Sequence, residues 1–125
     1  MKYIIIVLAV LLLIPSNTME VRLPEEVQGP KTLEQVTKEY AEEYGLDFEL
    51  VSRIIACESS WNPLAYNHKS HDSGLMQINL YFHAKTAEAM NLDLSKTEDN
   101  IKYGLHLMKT NGTRDYLASA HCWNK

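Results

Sequence analysis

Leu50-Val51-Ser52-Arg53-Ile54-Ile55-Ala56-Cys57-Glu58-Ser59-Ser60-Trp61-Asn62-Pro63 is the stretch on which the fold turns. Val51, Ile54, Ile55 and Glu58 recur at helical spacing, so the segment reads as an amphipathic helix whose apolar stripe ends in a carboxyl group. Asp47 is placed to cap its start. Pro63 keeps Asn62 out of the helical region, so the helix ends near Ser59 or Ser60. A carboxyl that continues an apolar stripe is either partly buried or faces a cleft. Burial disfavours its charged form. The C-terminal end of a helix, with its partial negative charge, acts in the same direction. Both effects keep Glu58 protonated closer to neutral pH, which is what a general acid requires. The plain alternative is a surface glutamate at a helix end.

Working outward, Thr32-Leu33-Glu34-Gln35 has the form of a capping box, with Thr32 as N-cap and Gln35 reaching back. Leu33, Val36, Tyr40 and Tyr44 then fall on one helical stripe that Gly45 closes. Asn62 to Ser73 is rich in Asn, Ser, His and Asp and suits a loop or a short β-hairpin. A short helix follows over Tyr81 to Met90. Asp93 to Asn100 holds the start of another, with Ser95 or Thr97 as its cap and Ile101, Gly104, Leu105 and Met108 along its stripe. A helical glycine costs about 1 kcal/mol relative to alanine, so Gly104 is expected where another helix comes close. Asn111-Gly112 marks a turn. Arg114 to Trp123 is expected to form a last helix carrying Tyr116, Leu117, Ala120 and Trp123. The expectation is a mainly helical single domain with one long loop in its middle.

Lys2, the apolar run Tyr3 to Ile14 and the exit Pro15-Ser16-Asn17-Thr18 form a secretory signal pattern. The run is short for a membrane span, which needs about 20 residues; an uncleaved anchor is the alternative. We therefore expect a signal over 1–18, a flexible leader over 19–30 and a domain over 31–125. Removing the signal leaves 107 residues and takes the net charge from −4 to −5. An acidic chain without a basic stripe is not a nucleic-acid binder. Two cysteines, Cys57 and Cys122, favour a disulfide in an exported protein. Such a bridge closes a loop of about 65 residues, worth roughly 4 kcal/mol in the chain-entropy model; two buried thiols are the alternative. The five histidines, His68, His71, His83, His106 and His121, lack the spacing of a zinc site, and no cofactor is expected.

Three blocks carry a family resemblance. Glu58-Ser59-Ser60-Trp61-Asn62-Pro63, Asp72-Ser73-Gly74-Leu75-Met76-Gln77-Ile78-Asn79 and Asp99-Asn100-Ile101-Lys102-Tyr103-Gly104 resemble the soluble lytic transglycosylases, relatives of goose-type lysozyme. The resemblance implies a lysozyme-like fold from Thr32 to the C-terminus and one catalytic residue, Glu58. It also implies action on peptidoglycan strands, at the β-1,4 bond between N-acetylmuramic acid and N-acetylglucosamine, with a 1,6-anhydro product. Ser59, Ser73, Gly74, Met76, Gln77, Asn79, Tyr103 and Trp123 become candidate substrate-binding residues. Ser59 is expected to bond Glu58 or the sugar, with its own backbone as the alternative partner. Gly74 is expected to let backbone approach the sugar, and Met76 to line the groove or the core. The family's closing Ala-Tyr-Asn-Ala-Gly block is absent; the nearest stretch is Ser119-Ala120-His121-Cys122-Trp123-Asn124-Lys125. Trp123 is therefore expected to stand for the missing tyrosine, with Tyr103 and Tyr116 as substitutes. Asp72 is the candidate base for a hydrolytic muramidase, and a glycan-binding module without turnover is the rival outside enzymes. The expected context is a periplasmic or extracellular monomer, recruited by a secretion, conjugation or phage-entry apparatus.

Overall fold

The computed structural model describes residues 29–125. The expected signal and most of the leader fall in 1–28, outside the described residues. The element order is α1 (Leu33–Tyr44), α2 (Phe48–Ser59), β1 (Tyr66–Asn67), β2 (Asp72–Ser73), β3 (Ile78–Asn79), α3 (Leu80–Ala89), α4 (Thr97–Asn111), a 3-10 helix (Arg114–Ser119) and α5 (Ala120–Trp123). This is the mainly α, lysozyme-like arrangement with a small sheet in its middle. Among the described residues, no helix is long and apolar enough to cross a membrane.

Local chemistry sets the first two helices as the sequence implies. Thr32 Oγ1 accepts from Gln35 N at 3.2 Å, and Gln35 Oε1 accepts from Thr32 N at 2.8 Å, closing the capping box. Gly45 ends α1 in the left-handed region. The deepest residues of α1 are Thr37 and Ala41, while Leu33, Tyr40 and Tyr44 pack half-buried beside them. The seam against α2 and α4 thus lies one position from the expected stripe. Thr37 tolerates that burial because its hydroxyl donates to Leu33 O at 2.8 Å. In α2, Val51, Ile54 and Ile55 are fully buried. Its C-cap is Ser60, and both Ser60 and Trp61 have positive φ, 52° and 60°. Two successive non-glycine residues in that region are strained, and they turn the chain abruptly just past Glu58.

The central segment pairs as a three-stranded antiparallel sheet in the order β1-β2-β3, with Tyr66 opposite Ser73, and Asp72 opposite both Asn67 and Asn79. Asn79 then caps α3, its Oδ1 accepting from Phe82 N at 3.2 Å.

Three local expectations are corrected. Neither Ser95 nor Thr97 caps α4: Lys96 holds the cap position without a side-chain bond, and the Ser95 hydroxyl is committed to Asp93 Oδ1 at 2.6 Å. Gly104 faces a side chain, not a helix; a Cβ there would come within 2.7 Å of Met76 Cγ and Cε. The last helix is split, its first six residues being 3-10. At three residues per turn, Tyr116 and Ser119 share a face and Leu117 leaves it. Tyr116 and Trp123 are accordingly buried, whereas Leu117 is 59% exposed. Cys57 and Cys122 are joined, with Cα atoms 6.0 Å apart, so α5 is tied covalently to the residue before Glu58.

Candidate active site

Glu58 lies one residue before the end of α2 and lines a cavity of about 160 Å³ with Asp72, Gln77, Ile78, Asn79, His83, Leu107, Asp115, Tyr116 and Ala118. It is half-buried. Burial raises its pKa above the ordinary carboxyl value; a hydrogen bond from Ser119 opposes this, and the charge of Asp72 adds to the rise. The Ser119 hydroxyl donates to Glu58 Oε1. Behind it, Trp123 Nε1 donates to Ser119 Oγ at 3.1 Å and to Tyr116 O at 3.0 Å.

Opposite α2, the wall is the turn between β2 and β3, and one buried side chain holds it. Asn100 Oδ1 accepts from Met76 N at 2.9 Å, and its Nδ2 donates to Ser73 O at 2.9 Å and Leu94 O at 3.3 Å. Gly74, at φ 78°, has no room for a side chain because Asn100 occupies it. Its bareness therefore lets Asn100 pack against the turn. Asn79 Nδ2 bridges Ser70 O at 2.6 Å and Asp72 Oδ1 at 2.9 Å, while Ser70 Oγ donates to Asp72 Oδ2 at 2.7 Å. Both oxygens of Asp72 are thus held within the sheet.

Of the candidate residues, Glu58, Gln77 and Asn79 meet in the cavity. Gln77 spends its Nε2 on Ala65 O at 3.1 Å and Gly74 O at 2.9 Å, so Oε1 is what the amide has left for a ligand. Ser73 contributes its carbonyl to Asn100. The others stand back from the cavity. Ser59 is buried and its hydroxyl donates to Ile55 O at 3.3 Å, the alternative partner and not Glu58. Met76 is fully buried in the core. Tyr103 is buried, with its hydroxyl 3.0 Å from His83 Nδ1, and so backs the cavity through His83. Trp123 is buried behind Ser119.

Sequence reasoning assigned no role to Ser119, Asn100, His83 or Asp115. Trp123, the expected stand-in for the missing tyrosine, bonds Ser119, and it is the Ser119 hydroxyl, at the end of the 3-10 helix, that meets Glu58. Tyr116 is buried with no partner for its hydroxyl, which burial and then the charge of Glu58 keep protonated. Among the described residues, no group of three or more His, Cys, Asp or Glu could hold a metal ion.

A helical domain with a three-stranded sheet, and a half-buried glutamate at a helix end facing it, defines the lysozyme-like class. More narrowly, the model of the transglycosylase SLT domain matches residues 35–117, and the chain belongs to that family. The match spans α1 to the 3-10 helix, including every residue that lines the cavity except Ala118. The match supports, in general, a function of the lytic transglycosylase type directed at peptidoglycan. Neither a curated protein nor a solved structure matches the chain.

Proposed function

We propose that the protein is a peptidoglycan lytic transglycosylase with Glu58 as its only general acid and base. Glu58 protonates the oxygen linking N-acetylmuramic acid to N-acetylglucosamine, and the β-1,4 C–O bond breaks. The resulting carboxylate then takes the proton of the muramic acid 6-hydroxyl as that oxygen bonds to the anomeric carbon. The product is a 1,6-anhydro sugar and no water is consumed. The observation that carries this reading is the burial of Glu58 beside the cavity, which raises its pKa and so favours the protonated form that a general acid needs. Gln77 Oε1 is the group suited to an acetamido N–H of the substrate.

Asp72 lines the same cavity, which keeps a hydrolytic reading in play, with Asp72 as the base for a water. One observation favours the anhydro reading: both Asp72 oxygens already accept bonds from Ser70 and Asn79. The Cys57–Cys122 bond suits an oxidising compartment, in keeping with export through a signal at 1–18 and a leader at 19–30 ahead of a domain over 31–125. A monomer of this size suits local opening of the wall for a secretion, conjugation or phage-entry apparatus.

Mass spectrometry of purified peptidoglycan digested by the wild type and by Glu58→Gln tests the function. Anhydro-muramyl fragments from the wild type, with a rate about 100- to 10,000-fold lower in the variant, are expected. Reducing-end fragments one water heavier would make the enzyme a muramidase. No fragments from the oxidised wild type would leave a glycan-binding module.

A further inference from the structure

Resting on the reading of Glu58 as the acid that becomes a base, we propose that Ser119 is a positioning residue that serves both protonation states of Glu58 by reversing its hydrogen bond. The geometry carries this. Ser119 Oγ sits among three partners: Glu58 Oε1, Tyr116 O at 3.1 Å and Trp123 Nε1 at 3.1 Å. A hydroxyl has one proton to give and two lone pairs to receive, so it cannot donate to Glu58 and to Tyr116 O together.

With Glu58 ionised, Ser119 donates to Oε1 and accepts from Trp123 Nε1–H. With Glu58 protonated at Oε1, the carboxyl O–H donates to Ser119 Oγ, and the serine proton swings to Tyr116 O. Trp123 Nε1–H donates in both states, since it reaches Ser119 Oγ and Tyr116 O alike. No heavy atom moves, and no buried donor loses its acceptor when the proton arrives or leaves. A general acid that must act next as a base is thus held in one rotamer through both steps. The Cys57–Cys122 bond fixes α5 on α2 and keeps this arrangement in register. A phenol in the same place would need its ring to reach the carboxyl; here a short side chain on the 3-10 turn does so, with indole behind it.

Four other groups face Glu58 across the cavity: Asp72 from β2, His83 from α3, and Asp115 and Tyr116 from the 3-10 helix. Asp72, His83 and Asp115 make no bond to Ser119, and the Tyr116 carbonyl that does still accepts from Trp123 Nε1 when the hydroxyl is removed.

The experiment is a carbon-13 NMR titration of the Glu58 side-chain carboxyl, without substrate, in the wild type, Ser119→Ala, Ser119→Thr and Trp123→Phe, assigned by its loss in Glu58→Gln. Ser119→Ala is expected to move the midpoint up, because the charge-assisted bond that the carboxylate loses is stronger than the neutral one that the protonated carboxyl loses. Ser119→Thr is expected to return it close to wild type. Trp123→Phe is expected to move it the same way by less, since an indole N–H polarises the serine O–H. On peptidoglycan, Ser119→Ala should lower kcat at least about tenfold with KM changed less than about twofold, the size of a lost charged hydrogen bond. An unmoved midpoint in Ser119→Ala overturns the proposal, as does a threonine variant that behaves like alanine. If Ser119→Ala does not fold, an unmoved midpoint in Trp123→Phe overturns it. A shifted midpoint in a protein that releases no fragments would sink the catalytic reading and leave the hydrogen-bond exchange standing.

Discussion

At the scale of single residues, the site trades stability for a proton. Glu58 is a carboxyl whose folded pKa is raised, chiefly by burial. The native state therefore binds this proton more tightly than the unfolded chain does. Its stabilising effect is complete below the ordinary carboxyl pKa and is lost as pH rises through the raised folded value. At neutral pH the half-buried charge is a net cost that Ser119 offsets in part. Glu58→Gln is isosteric and uncharged, so it should raise the melting temperature at pH 7, with the gain vanishing below about pH 4. Paired thermal melts of the wild type and Glu58→Gln across that pH range check this. A gain equal at both ends would mean that burial of the charge is not its origin. That Glu58 would matter was legible from its place at the end of an apolar stripe. Its partner was not, because a serine that bonds a carboxylate looks like any serine until the backbone around it is known.

At the scale of elements, two devices hold the cavity together. The first is Asn100 on α4, buried, with three hydrogen bonds that pin the β2–β3 turn. Asn100→Ala leaves the Met76 N–H and two carbonyls without this partner at a buried position. The cost should be about 3 kcal/mol, from the desolvation penalty of an orphaned donor. Urea unfolding at constant slope checks it, and a change under about 1 kcal/mol would mean the turn holds itself. The second device is the Cys57–Cys122 bond, which closes a loop of 65 residues. Replacing both cysteines by serine should cost roughly 4 kcal/mol and lower activity further than stability alone explains, since α5 carries the Trp123 backing of Ser119. Activity measured well below the variant's melting point separates the two effects. The caps of α1 and α2 were legible because Thr32, Gln35, Gly45 and Asp47 act within four residues of themselves. The 3-10 turn at Arg114–Ser119 was not, because the spacing of Tyr116, Leu117, Ala120 and Trp123 fits an α-helix equally well. Tertiary burial of Tyr116 and the bridge at Cys122 decide it.

At the scale of the whole molecule, the legible and the hidden divide along sequence distance. Periodicity and capping reported the helices, and Cys57 and Cys122 reported their own pairing through an even count. Contacts spanning 24 residues or more, Asn100 to Met76 or Ser119 to Glu58, leave no periodic trace. What Gly74 and Met76 touch is likewise set by the far helix α4, through Asn100 and Gly104. Net charge is a property that belongs only to this scale, and it makes its own prediction. The chain carries −4 overall, and peptidoglycan bears the carboxylates of its stem peptides. Like charges slow encounter rather than steer it. Screening at 0.15 M, with a Debye length of about 8 Å, removes most of that repulsion, whereas at 0.01 M it reaches about 30 Å. The ratio kcat/KM on peptidoglycan should therefore rise, by about two- to tenfold, between those salt concentrations, with kcat itself almost unchanged because the Glu58–Ser119 contact is partly buried and poorly screened. Initial rates at several substrate concentrations in each salt check this. A fall in kcat/KM would mean that a local basic surface captures the strand despite the charge of the whole.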